Sequence, residues 1–114
     1  RQSRDLLRQL VRAFGEPFDL VVSGTNPGAN TGRAIYHSGT VGAALTARNG
    51  GVSGLAVSQA VDDYGVEGQG WDEMLAHQRW DAAAEVGARM ASAILGDLPS
   101  DPIVVNVNVP NRSL

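Results

Sequence analysis

Apolar positions recur at helical spacing from Asp5 to Phe14, where Leu6, Leu7, Leu10, Val11 and Phe14 share one face and Arg8, Gln9 and Arg12 lie opposite. Gly15 and Pro17 then stop the helix. Phe18-Asp19-Leu20-Val21-Val22 is short, apolar and β-branched, which predicts a buried strand of the parallel type. Ser23 to Gly32 is punctuated by Gly, Pro and Asn and reads as a loop. A helix is predicted to open near Ser38-Gly39-Thr40, run through Val41 to Ala47, and end at Asn49-Gly50-Gly51. Gly54 to Ser58 is a second apolar strand, and Gln59 to Gln69 is polar and loop-like. Trp71 to Trp80 is weakly helical. Asp81 to Leu95 is strongly so, with Val86, Met90 and Ile94 on one face. Ile103 to Val109 is a third strand, closed by Pro110.

The order is helix, strand, helix, strand, helix, strand. Strands joined by helices pair in parallel and form an α/β sheet covered on both faces. Ligands of such sheets bind beyond the carboxyl ends of the strands, so the Ser23–Gly32 loop is the leading site by position. No internal repeat, low-complexity segment or second domain is visible, and residues 1–114 are expected to form one domain.

Composition narrows the function without choosing it. The 114 residues suffice for one core, and 43% hydrophobic with 18% charged is the balance of a folded chain. A net charge of −3 argues against a nucleic-acid polymer as partner, since binding a phosphate backbone needs a basic face. A small phosphorylated substrate is not excluded, because a metal ion or a helix N-terminus holds one phosphate without a basic surface. The absence of cysteine removes disulfides, zinc–thiolate sites and a thiol nucleophile, and suits a cytoplasmic location. No apolar run approaches the roughly 20 residues of a membrane span, and no signal peptide is seen. The chain opens on Arg1 rather than Met and stops at Leu114 just after a strand, so a fragment is expected.

Chemistry concentrates in Ser23-Gly24-Thr25-Asn26-Pro27-Gly28-Ala29-Asn30-Thr31-Gly32-Arg33. Gly24, Gly28 and Gly32 permit close backbone approach, so the loop is able to cradle a phosphate with N–H groups. Asn26 and Asn30 offer a carbonyl oxygen to a hard cation or an amide donor to an anion. Neither the dinucleotide fingerprint G-x-G-x-x-G nor the Walker A spacing fits, the latter being one residue short with Arg33 in place of Lys. A ligand-free Gly/Asn turn stays open on composition alone. Ser38-Gly39-Thr40 adds two hydroxyls and free N–H groups at a positive helix end, which suits either an anion or ordinary capping.

Asp19-Leu20-Val21-Val22-Ser23-Gly24-Thr25-Asn26-Pro27-Gly28-Ala29-Asn30-Thr31-Gly32, followed by Ser38-Gly39-Thr40-Val41-Gly42-Ala43-Ala44, resembles the SurE family pattern DLVVSGxNxGxNxG…SGTVxAA. Leu55-Ala56-Val57-Ser58 and Val105-Asn106-Val107-Asn108-Val109-Pro110 resemble that family's later strands, in order, so the likeness spans residues 19 to 110. The resemblance implies an α/β fold, a Rossmann-like three-layer sandwich around a parallel sheet, of which this chain is a central part incomplete at both ends. It implies a divalent-metal (Mg²⁺ or Mn²⁺) phosphatase of nucleoside 5′- and 3′-monophosphates or other small phosphomonoesters, and a homo-oligomer, dimer or tetramer, in the intact protein. In the family an N-terminal Asp-Asp pair, a later Ser and the first Asn of SGxNxG hold the metal. Only Asn26 matches here, and Asn30, Ser38, Gly39 and Thr40 match the phosphate site. No residue is assigned as the catalytic acid, base or nucleophile.

Departures accompany the match. No Asp-Asp pair follows an N-terminal strand, and Asp62-Asp63 falls in a polar loop and is not assigned to metal. Thr25 stands where the family has Ile or Val, and His37 follows Tyr36 where the family often has Tyr before the Ser. His37 reads as a half-exposed loop residue or as a general acid for the leaving alkoxide. His77 reads as surface. Arg33 is either solvated or drawn to phosphate. Trp71 and Trp80 suit packing on the sheet, or stacking on a base. Three functions therefore compete: a phosphomonoesterase of which this chain carries part of the active site, a non-catalytic truncated or degenerate module, and a nucleotide-binding regulatory domain.

Overall fold

The computed structural model describes residues 18–61, 76 and 78–112. The predicted helix at Asp5–Phe14, the Asp62-Asp63 pair, Trp71 and His77 lie outside them. Three strands, β1 (Leu20–Pro27), β2 (Ser53–Gln59) and β3 (Val104–Val109), form one parallel sheet in the order β1-β2-β3. Helices α1 (Gly39–Asn49) and α2 (Trp80–Gly96) connect them, and a 3₁₀ turn over Gly32–His37 precedes α1.

The two helices cover opposite faces. Leu55 and Val57 pack with Ala82, Ala83 and Ile94 of α2, while Ala56 packs with Val41 and Ala44 of α1. Side chains alternate along a strand, so with a helix on each face β2 is buried along its whole length, its apolar centre Leu55-Ala56-Val57 flanked by the buried polar residues Ser53, Ser58 and Gln59. The expected α/β three-layer architecture is therefore present, with the core on both sides of β2.

Close approach of α1 to the sheet depends on Gly54, where a β-carbon would fall onto the Ala44 backbone. The start of α1 follows from Ser38, whose Oγ accepts from Val41 N at 3.1 Å. Its end follows from Gly50 and from Gly51 at φ 94°.

β1 is longer than its sequence suggests. The Gly/Asn/Pro run predicts a loop from Ser23, yet the strand continues to Pro27. Leu20 to Ser23 pair with Ser53 to Ala56, and pairing resumes at Asn26 with Ser58 and Pro27 with Gln59. β1 thus uses Gly24 and Thr25 where β2 has only Val57, a bulge that bends the strand without ending it. Gly24 has φ 121°, and a β-carbon there would meet the Val57 carbonyl oxygen, so the bulge requires glycine. The Gly24–Thr25 peptide is cis.

Candidate functional site at the carboxyl rim of the sheet

Pro27, Gln59 and Val109 are in register and end their strands at one rim. The chain leaving β1 stays on that rim because Gly28 N donates to Gln59 O at 2.7 Å. One row lower, Asn26, Ser58 and Asn108 stand side by side across the three strands. An open hollow of about 560 Å³ is lined there by Asn26 through Asn30, with Ala34, Ala60 and Val61. This is the crevice beyond strand carboxyl ends that open α/β sheets use for ligands.

Asn26 is half-buried, and its Nδ2 donates to Gly28 O at 3.0 Å and to Pro27 O at 3.3 Å. With the amide nitrogen engaged by the loop, Oδ1 is the end available to a cation. Asn30 is differently placed. It is buried at 8% exposure, and its Nδ2 donates to Ser58 Oγ at 2.7 Å. Its backbone is also held: Asn30 N donates to Asn108 Oδ1 at 2.7 Å, and Asn30 O accepts from Asn106 Nδ2 at 2.9 Å and from Asn108 Nδ2 at 3.4 Å. Asn30 lines the hollow while its side-chain nitrogen is bonded to the sheet.

Ser38, Gly39 and Thr40 lie at the start of α1, as expected, and are not among the residues lining the hollow. The 3₁₀ turn joins them to the loop, and Ile35 pins that turn against Val41, Ala44 and Ala56. Ser38 uses an oxygen lone pair for the cap and keeps its O–H as a donor. Arg33 and His37 are exposed on the turn, and Trp80 is the half-buried first residue of α2.

Sequence reasoning gave no role to Ser58, Asn106 or Asn108. The signal was present in Val105-Asn106-Val107-Asn108-Val109, because alternation places both asparagines on one face of the strand. Among the described residues no group of three or more His, Cys, Asp or Glu is placed to hold a metal ion. A second hollow of about 160 Å³, between β1 and α2, has largely apolar walls that include Val22, Val57, Ala84, Gly87 and Ala91.

The profile of the family described as "Survival protein SurE" matches residues 6–114. The chain belongs to the SurE family. It is 45% identical over 98 residues to a 5′-nucleotidase SurE of Variovorax paradoxus (strain S110), covering 84% of this chain and 34% of that relative. It is 31% identical over 110 residues to a 5′-nucleotidase SurE of Legionella pneumophila, covering 96% of this chain and 39% of the relative. The crystal structure of the SurE protein from Aquifex aeolicus superposes with a TM-score of 0.72 at 26% identity, covering 96% of this chain and 40% of that one. The chain thus spans 34–39% of the length of these curated SurE relatives.

Proposed function

We propose that the intact protein is a divalent-metal-dependent phosphomonoesterase acting on nucleoside 5′- or 3′-monophosphates, and that this chain supplies the loop side of its site. The observation that carries this reading is Asn26, set on the hollow at the strand ends with its amide nitrogen engaged and its oxygen left for a hard cation. The name "5′-nucleotidase SurE" carried by the relatives supports the substrate class. The N–H groups of Ala29 and Thr31, those of Gly28 and Asn30 being bonded to Gln59 O and Asn108 Oδ1, are proposed to meet the phosphate with Ser38, Gly39 and Thr40. The positive end of α1 and two hydroxyls favour an anion there.

The described residues fit the metal only in part. Asn26 is one neutral oxygen donor, whereas Mg²⁺ gives up its water reluctantly and is anchored by carboxylates. When bound by a fuller set, such a metal polarises the phosphoryl group and activates water. The second reading, a non-catalytic SurE-like module, turns on whether the intact protein carries an Asp-Asp pair to complete the ligand set.

One experiment separates the two. The intact protein is assayed on 5′-AMP and 3′-AMP with Mn²⁺, then with EDTA. Turnover that EDTA abolishes and Mn²⁺ restores supports the enzyme. No turnover on either substrate supports the module.

A further inference from the structure

We infer that Asn106 and Asn108 of β3, with Ser58 of β2, are positioning residues that hold the Gly28–Thr31 loop at the site by gripping Asn30. The inference rests on the phosphomonoesterase reading of that loop.

The grip is specific in its chemistry. Asn30 is tied at three places: its N–H to Asn108 Oδ1, its carbonyl to Asn106 Nδ2 and Asn108 Nδ2, and its side-chain Nδ2 to Ser58 Oγ. The partners come from two strands and lie 28 to 78 residues away in sequence, so local turn geometry does not supply them. A carboxamide both donates and accepts at one locus, which is what a peptide N–H and C=O presented together require. Aspartate matches only the N–H and leucine matches neither. The three gripping side chains stand on the face of the sheet that α1 covers, in the rows of Ala56 and Ser58. Asn106 Oδ1 is buried without a hydrogen-bond partner among the described residues. Such an orphan is disfavoured unless the rest of the amide is needed, and here the needed part is the donor to Asn30 O. Asn26 lies in the same row as Ser58 and Asn108, so fixing Asn30 fixes the loop relative to the proposed cation ligand.

The test uses the full-length protein and the variants N108A, N108D, N106A and S58A, with Q59L as control. Gln59 is buried on the strand beside Ser58, and its side chain bonds Gln78 and Asn111 rather than Asn30. Its loss perturbs packing without releasing the grip. N108A and N106A are expected to lower kcat on 5′-AMP at least tenfold with KM changed less than threefold. N108D, which keeps the acceptor for Asn30 N–H but sets a second carboxylate oxygen against Asn30 O, is expected to recover only part of that loss. Q59L is expected to lower the unfolding temperature while leaving kcat within twofold. Amide exchange at Asn30 N–H, read by NMR, is expected to speed up in N108A and not in Q59L. Unchanged exchange in N108A, or faster exchange with unchanged kcat, overturns the inference. A wild-type protein with no turnover overturns the phosphomonoesterase reading and removes the inference's basis, an outcome distinct from active variants in an active background.

Discussion

Asn26 and Asn30 are four residues apart in one Gly-rich segment, yet the fold gives their amides different tasks. Among the described residues the Asn26 side chain bonds only to neighbouring carbonyls, Pro27 O and Gly28 O, and its Oδ1 is left for the proposed cation. Asn30 is drawn into the sheet through Ser58, and its peptide is held by β3. The difference yields a prediction about single residues. In the intact protein, Asn26→Ala removes one donor to the cation, so Mn²⁺ affinity measured by calorimetry should fall by roughly tenfold or more, the loss expected for a contact of about 1.5–3 kcal/mol to a charged partner. Unaltered Mn²⁺ affinity would remove Asn26 from the ligand set.

Among the elements, α1 carries the sharpest question, because Ser38 has a structural duty and a proposed chemical one. Its Oγ caps the helix through Val41 N, a contact whose loss costs about 1 kcal/mol. Its hydroxyl proton remains for the proposed phosphate contact. Two substitutions separate the duties. Ser38→Ala should lower both stability and kcat/KM on 5′-AMP. Ser38→Asp retains a good cap, and so stability in urea, but sets a negative charge against the phosphate and should lower kcat/KM by tenfold or more. Equal activity in wild type and Ser38→Asp would leave Ser38 as a cap alone. The bulge in β1 is an element-scale effect of another kind. It carries Asn26 onto the row of Ser58 and Asn108, using a glycine that no other residue can replace.

At the scale of the whole molecule, the donor count governs what this chain does alone. Of the proposed metal ligands the described residues hold only Asn26, a neutral oxygen donor, and among them no group of three or more His, Cys, Asp or Glu is placed to hold a metal ion. With a neutral amide as its anchor, the metal site should stay nearly empty at millimolar Mg²⁺ or Mn²⁺. The 114-residue chain expressed by itself should therefore hydrolyse 5′-AMP and p-nitrophenyl phosphate at well below about 1 s⁻¹ with Mn²⁺ present, the low end of typical enzyme rates. Metal-dependent turnover above that rate would mean that the site is complete without a carboxylate pair, and the roles assigned to these residues would have to be redrawn. β1 is an outer strand of the sheet among the described residues, so the same preparation also reports whether the chain self-associates.

The sequence by itself determined the alternation of strands and helices and the parallel sheet. Those depend on periodicity, on glycine stops and on a hydroxyl cap, all of which act within a few residues. It also carried the family pattern across residues 19 to 110, which the match over 6–114 supports. Where β1 ends was not legible, because Gly, Asn and Pro signal a turn locally, while pairing of Asn26 and Pro27 with β2 holds them in the ladder. The grip on Asn30 was not legible either. Its partners are distant in the chain, and only the packing of β2 beside β3 brings Ser58, Asn106 and Asn108 together beneath the loop. Local chemistry wrote the elements, and tertiary pairing decided which asparagine side chain bonds only to neighbouring carbonyls and which is bonded into the sheet.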